Sequence, residues 1–477
     1  MKAKWMKWSG TVAPVLGVFV LLCSLGCHLE QENLSPRTAF VSSIKAKTKH
    51  LVVISLDGLR AADFEYFKGL PNFKALLEGG SYAGKVTCVY PSVTYPSHTS
   101  IVTGRYPMDH GVYSNTLFQP GEKEPDWYWQ SRYIKTPTLF GIAKEAHMKT
   151  GALLWPVTAG ADIDYNLPEI FPTRGQSQIW LSLTNGSPWF SLELELRFGS
   201  IRKGSREPEL SDFIAASAEY LLRSGKPDLM LVHLNDLDKQ RHTHGVLSQE
   251  ALEALIRHDR RLGRIVQGAK DAGIYDDTTF VVLGDHGFLD TGALIRINVL
   301  FKQAGIISVD SNGKLIDWKA IAHTCGGSTY VKLKDPADEA TRKKVEQILA
   351  AVSNDPGSGV ESVFTGEQVA ALGASREYDY MLEAREGYYF SDGYDGEPVM
   401  SFGPEDVNYR KGIFAANHGY LPTKAACDTF FLASGAGVRR GVILERIAMV
   451  DEGPTMAELL GLNIPGATGR VLWEILR

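Results

Sequence analysis

Hydrophobic positions along this chain fall into short unbroken runs and longer spaced stripes. Leu51-Val-Val-Ile-Ser-Leu56, Leu229-Met-Leu-Val-His-Leu234 and Thr279-Phe-Val-Val-Leu283 are runs of the first kind, bounded by polar residues. Short apolar runs rich in Val, Ile and Leu predict strands buried on both faces, as in a parallel sheet. The spaced pattern predicts helices over residues 70–78, 136–146, 211–224 and 249–272. The first of these opens at Pro71 and closes at Gly79-Gly80, a sound start and stop pair. The last places Leu252, Leu255, Ile256, Leu262 and Ile265 on its apolar stripe, and Arg257, Arg260, Arg261 and Arg264 on an expected solvated face. Between them, the first half of the segment 90–104 reads as a loop. The part after Pro96 reads as a helix, with Thr94 just ahead of its N-terminus.

From residue 290 to 411 the pattern changes. Turn signals become frequent, at Asp310-Ser-Asn-Gly313, Asp355-Pro-Gly357, Ser391-Asp-Gly393 and Asp395-Gly396. They predict an inserted subdomain of hairpins with a helix near 339–352. Ala415-Ala-Asn-His418-Gly-Tyr420 then returns the chain to the first domain. The expected fold is α/β, with a mainly parallel central sheet flanked by helices and an inserted smaller α+β subdomain. The main domain would comprise residues 49–289 and 412–477, and the insert 290–411.

Composition narrows the possibilities. The chain has 477 residues, 44% of them hydrophobic and 22% charged, which suffices for a large core. Its net charge of −5 gives no electrostatic case for nucleic-acid scaffold binding. Lys2, Lys4 and Lys7 precede an apolar stretch at 12–25 that Pro14 and Gly17 interrupt, the pattern of an export signal. Ser24-Leu25-Gly26-Cys27 resembles a bacterial lipoprotein cleavage box, with Ser24 where that box usually carries Leu. Residues 1–27 are therefore expected to be a signal peptide, with Cys27 a candidate for lipidation, and the polar residues 28–48 a flexible tether. That predicts an exported protein, periplasmic or held to a membrane by one acylated cysteine. Cys88, Cys325 and Cys427 remain, with a Cys325–Cys427 bridge and buried free thiols both open.

Each apolar run ends in groups that bind metals. Asp57 follows the first, Asn235-Asp-Leu-Asp238 the second, and Gly284-Asp285-His286 the third. Parallel sheets bind ligands outside the carboxyl ends of their strands. Asp238 and His242 are four residues apart, so a helix would put both on one face. Three carboxylates and imidazoles converging at strand ends predict a metal centre, one that holds two ions and suits zinc. Thr94 could be a helix cap or a nucleophile. Its hydroxyl is unreactive at neutral pH unless a cation stabilises the alkoxide, and a helix N-terminus adds partial positive charge.

Asp57-Gly, Pro91-Ser-Val-Thr94-Tyr-Pro-Ser-His98, Ile101-Val-Thr-Gly104, Tyr106-Pro-Met-Asp-His-Gly111, Asn115, Asp238-x-x-x-His242, Asp285-His-Gly287 and His418-Gly419 together resemble the nucleotide pyrophosphatase/phosphodiesterase family of the alkaline-phosphatase superfamily. The resemblance runs from about residue 51 to 477. It implies an alkaline-phosphatase-like fold and a two-zinc site. Asp238, His242 and His418 would hold one ion, and Asp57, Asp285 and His286 the other, with Thr94 as its reactive ligand. Asn115 would donate to a phosphoryl oxygen. Tyr95 would stack on a nucleotide base, with Trp155 and His233 lining the same pocket; His233 stands where vertebrate members commonly carry Tyr. The implied activity is hydrolysis of a phosphodiester or phosphoanhydride bond in a small nucleotide-like substrate, through a phospho-threonine intermediate.

Alternatives of the same superfamily are a phosphomonoesterase and a phosphonoacetate hydrolase. A sulfatase is excluded, because Thr94 cannot become formylglycine and the Arg of the sulfatase pattern is absent from Thr94-Tyr-Pro-Ser-His98. From another class, a non-catalytic membrane-tethered binding protein would usually have lost a ligand or the nucleophile, and all are present.

Overall fold

The computed structural model describes residues 44–173 and 175–477. The export signal, Cys27 and most of the expected tether lie outside the described residues. The chain is already packed by Lys47 and Thr48, whose backbone amides both donate to Leu459.

The three apolar runs are adjacent parallel strands. They are β1 (His50–Leu56), β5 (Leu229–Leu234) and β6 (Thr278–Leu283), numbered in one eight-stranded sheet with β2 (Gly80–Thr87), β3 (Thr150–Leu153), β4 (Tyr165–Leu167), β7 (Thr429–Gly435) and β8 (Ile443–Ala448). The order is β8-β2-β7-β6-β1-β5-β3-β4, and β7 alone runs antiparallel to its neighbours. Leu51 and Val53 enter one core cluster while Val52, Ile54 and Leu56 enter another. The unbroken apolar run is therefore the signature of a strand covered on both faces, since alternate side chains point into different layers.

The helices include α1 (Pro71–Gly79), α2 (Thr94–Thr103), α3 (Glu209–Ser224), α4 (Asp236–His244) and α5 (Gln249–Asp271). Ser248 caps α5 by accepting from Ala251 N. Two expectations for α5 change. Ile256 is 42% exposed instead of facing the core. Of the four arginines, Arg260 and Arg264 are solvated, but Arg261 is buried and, with Arg257, grips Asp236 at the start of α4 (Nη1–Oδ2 2.8 Å and Nε–Oδ2 2.7 Å). The helical period identified the apolar stripe but could not show that a neighbouring helix supplies a carboxylate across it. The helix expected after Pro96 begins two residues earlier, so Thr94 is its first residue and Val93 its N-cap. Pro96 fits the first turn because an amide there has no intrahelical partner.

Beyond β6, the strand Leu289–Ile295 pairs with Gly387–Phe390, Val399–Ser401 and Ala416–Asn417. A four-stranded antiparallel sheet follows in the order Ala320–Thr324, Ser328–Leu333, Tyr380–Ala384, Val360–Thr365. It is covered by the helix Glu339–Asn354, which Asp338 caps. The turn at Asp310 joins Ile307–Val309 to Leu315–Trp318. Cys88, Cys325 and Cys427 are buried free thiols, so the possible Cys325–Cys427 bridge is not formed. Among the described residues, no helix is long and apolar enough to cross a membrane.

Candidate metal centre

Because β6, β1 and β5 are neighbours in register, their carboxyl ends deliver side chains to one edge. Asp57 N donates to Leu234 O at 3.0 Å where β1 meets β5. At Gly58 the chain turns with φ of +75°, and its amide donates to Asp285 Oδ1 at 2.9 Å, tying the end of β1 to the end of β6. A Cβ at this position would sit 2.7 Å from the Phe288 ring, so only glycine suits both the dihedral and the space. Arg241, fully buried on α4, bonds to Gly58 O and to Asp63 Oδ1 (2.7 Å), which fixes α4 against the same turn.

The six expected ligands come together. Asp57, Asp285 and His286 present ligand atoms within 4.8 Å of one another, and so do Asp238, His286 and His418. His242 Nε2 lies 3.3 Å from Asp238 Oδ1, and His418 Nε2 lies 3.7 Å from the same oxygen. His242 is oriented through Nδ1 on Ala416 O at 2.9 Å. His418 follows the short strand Ala416–Asn417 and precedes Gly419, whose φ of +92° and close approach to Cys325 O leave no room for a Cβ. The rings of His286 and His418 stack at 3.7 Å, joining the two groups.

Buried oxygens in this cluster lack donors. Asp57 Oδ1, Asp238 Oδ1 and Asp285 Oδ2 have no hydrogen-bond partner, and neither has His418 Nδ1. A buried carboxylate without a donor is costly unless a cation meets it. Three such oxygens among imidazole nitrogens therefore fit divalent cations, and the mixed oxygen and nitrogen donor set is one zinc accepts. Burial opposes ionisation of Asp238, yet the imidazoles of His242 and His418 outweigh it and hold its carboxyl below the usual range. Burial and the Asp57 charge push Asp285 up. Burial lowers His286, but Asp285 and Asp57 more than compensate and raise it to about 9. Without cations, protons take up part of the charge that the carboxylates carry.

Thr94 lies inside this cluster. It is 7% exposed, and Oγ1 is 3.2 Å from His286 Nε2. Asn115 Oδ1 accepts from Tyr95 N at 2.9 Å, which sets the side-chain amide beside the start of α2. Two first-turn positions of this helix offer no free amide to an anion: Tyr95 N–H is taken by Asn115, and Pro96 has none.

The three residues expected to line a base pocket are buried. Tyr95 is fully buried among Val112, Trp129, Val157 and Ile170, with Trp127 edge-on to its ring at 5.4 Å. Trp155 is also fully buried, edge-on to His98 at 4.8 Å. Both rings are packing groups: the helix that carries Thr94 turns Tyr95 inward, and Trp155, just after β3, enters the core on one face of the sheet. His233 likewise reaches no open surface; it is fully buried and contacts Asp57.

Sequence reasoning gave no role to three residues found here. His98 bonds Thr94 O (2.8 Å) and Ser55 Oγ (2.9 Å), and its Nδ1 is 3.6 Å from Asp285 Oδ2. Its position four residues after Thr94, on the same helix face, was the available signal. Glu169 sits 3.3 Å from His233, with nothing in its local sequence to mark it. Tyr409, from the region after β6, packs against His242 at 5.9 Å and carries Lys239 Nζ over its face.

Known proteins resemble this chain in both sequence and shape. Residues 51–421 match the family model described as type I phosphodiesterase / nucleotide pyrophosphatase. Ectonucleotide pyrophosphatase/phosphodiesterase family member 1 of Homo sapiens is 28% identical over 273 residues, which is 54% of this chain and 25% of that protein. Venom phosphodiesterase 2 of Crotalus adamanteus is 25% identical over 251 residues, 50% of this chain and 26% of that protein. The chain thus spans about a quarter of the length of these relatives. Among solved structures, murine ectonucleotide pyrophosphatase/phosphodiesterase 5 superposes with a TM-score of 0.61 at 19% identity, covering 90% of this chain and 100% of that one. An inactive threonine-to-alanine variant of the murine protein, in complex with AMP, gives 0.62 at the same coverage. At this identity the likeness shows the fold: a large central sheet flanked by helices.

Proposed function

The chain belongs to the type I phosphodiesterase / nucleotide pyrophosphatase family, and from that membership we propose that it hydrolyses phosphodiester or phosphoanhydride bonds of nucleotides through a phospho-threonine intermediate at a two-zinc site. One observation carries the reading: Thr94 Oγ1 lies 3.2 Å from His286 Nε2, amid three buried carboxylate oxygens that have no donor. Asp57, Asp285 and His286 would hold one zinc ion, and Asp238, His242 and His418 the other. These ions would supply Lewis-acid chemistry, lowering the proton affinity of the Thr94 hydroxyl and balancing charge on the departing oxygen.

The chain's own groups account for the rest. Thr94 Oγ attacks phosphorus in line with the leaving oxygen; the bond to that oxygen breaks and it departs with a proton. Water then attacks the phospho-threonine, the bond to Oγ breaks, and Oγ regains its proton as a monoester leaves. Asn115, its Oδ1 committed to Tyr95 N, turns its NH2 toward a non-bridging oxygen and meets charge that grows in the transition state. His98 holds the first turn of α2, and so the Thr94 backbone, against β1 through Ser55. The AMP complex of the murine relative supports a nucleotide as substrate, since AMP is the monoester this chemistry leaves.

A direct test compares rates on a nitrophenyl phosphodiester, the matching monoester and a sulfate ester. The diester should react fastest, and a faster monoester reaction would overturn the assignment. We further propose, from the N-terminal pattern, that the protein is exported and held to a membrane by a lipidated Cys27. Radiolabelled palmitate should enter the wild-type chain and not Cys27→Ser.

A further inference from the structure

His233 is fully buried, and every group its ring nitrogens face is an acceptor. Nε2 lies 3.1 Å from Asp57 Oδ2. Nδ1 bonds Leu154 O at 3.2 Å, and the Glu169 carboxylate lies beside it as an ion-pair neighbour, its Oε2 3.3 Å away and without a hydrogen bond of its own. The ring can serve both Leu154 O and Asp57 Oδ2 only by donating from both nitrogens, and His98 packs edge-on against it at 4.3 Å. The arrangement runs along the carboxyl edge of the sheet. Asp57 follows β1, His233 lies near the end of the adjacent β5, Leu154 follows β3 and Glu169 follows β4, in strand order.

The two oxygens of Asp57 are thereby made unequal. Oδ2 is occupied by His233. Oδ1 has no hydrogen-bond partner and lies 3.1 Å from His286 Nε2, inside the ligand cluster. We propose that the Glu169–His233 pair positions Asp57 as a one-oxygen ligand and thereby sets the affinity of the cation site formed with Asp285 and His286; this rests on the metal-dependent reading above. Stability alone does not account for the pair. Glu169 is 3% exposed, and a buried carboxylate beside an imidazole contributes little net stability compared with apolar packing of the same volume. What the pair does provide is a fixed direction for Asp57, as partners behind metal ligands commonly do.

The test is zinc binding to the metal-free full chain, followed by calorimetry and by zinc content after dialysis. His233→Phe keeps a ring and removes both donors. His233→Gln keeps one donor within reach of Asp57, and Glu169→Gln removes only the charge behind the ring. The wild type should take up two equivalents of zinc. His233→Phe should weaken one of the two sites by about 10- to 100-fold and leave the other unchanged, with His233→Gln recovering most of the loss and Glu169→Gln falling between. A purely structural role would lower the melting temperature of the metal-free variants without separating the two affinities. Wild-type affinity at both sites in His233→Phe would overturn the proposal, as would wild-type affinity in Glu169→Gln should the Phe variant fail to fold. A wild-type chain that binds no zinc would instead overturn the metal-dependent reading itself, and this inference with it.

Discussion

Glu383 accepts a hydrogen bond from the Tyr90 hydroxyl at 2.9 Å, across 293 positions of sequence. Its other oxygen accepts from Leu421 N at 2.9 Å and lies 3.2 Å from Lys424 Nζ. One carboxylate of the four-stranded sheet thus joins the segment just before Thr94 to the segment just after His418. The second sheet helps set the distance between the nucleophile and a ligand, although it supplies neither.

That carboxylate gives a pH prediction. Burial pushes Glu383 from its ordinary 4.5 up to about 7, against the bonds from Leu421, Lys424 and Tyr90. A raised value in the folded state means that the fold favours the protonated acid. Its stabilising effect is complete below about pH 4.5 and is lost as the pH rises through about 7, a span worth roughly 3 kcal/mol. Urea unfolding at pH 5 and pH 8 should show a smaller pH difference for Glu383→Gln than for the wild type. Equal differences would mean that this carboxyl is not the titrating group.

Thr94→Ala should lower kcat by at least about 10^4-fold, as loss of a nucleophile does in other hydrolases, while zinc content stays at the wild-type level. Thr94→Ser should keep measurable turnover because it retains the hydroxyl. Full activity in the alanine variant would remove Thr94 from the mechanism.

Asn115 has two separable roles, and two variants divide them. Asn115→Ala loses both the acceptor for Tyr95 N and the donor, and its kcat should fall about 10^2- to 10^3-fold. Asn115→Asp keeps the acceptor at the helix start but loses the donor and adds charge. It should be at least as slow as Asn115→Ala while melting closer to the wild type. An active aspartate variant would show that helix positioning is the main contribution.

Metal removal should destabilise the protein, because one buried oxygen on each of Asp57, Asp238 and Asp285 is then left without a hydrogen-bond donor. Restored zinc should add about 2.7 kcal/mol per site at a hundredfold excess over Kd, read as a rise in Tm. Asp285→Asn should reverse the order: the metal-free variant melts above the metal-free wild type, having one less buried charge, and gains less from added zinc. A metal-free wild type as stable as the loaded protein would contradict the assignment of these carboxylates.

Much of the site was legible because its residues stand at strand ends. The runs before Asp57, Asp238 and Asp285 announce buried parallel strands, and such strands expose their carboxyl ends to a common edge. The spacing of Asp238 and His242 needed only the helical period. Thr94 was found with them, although its helix begins at the threonine itself, since the first turn can accept Pro96 where the sequence suggested that the helix starts. Tyr95, Trp155 and His233 were expected to line a pocket, and the structure buries all three. Local pattern identifies an aromatic or imidazole group but not whether the chain passes over it.

The sequence alone named the residues that the fold gathers and the strands that carry them, because an apolar run and the polar groups that end it are local properties. Tertiary structure decided what stands behind those groups: Glu169 behind His233, Arg261 on Asp236, Glu383 between Tyr90 and Leu421. Each of these contacts crosses at least 25 positions and forms only when separate elements pack. A side chain's role there depends on the partner across the gap, and no window of neighbouring residues contains that partner.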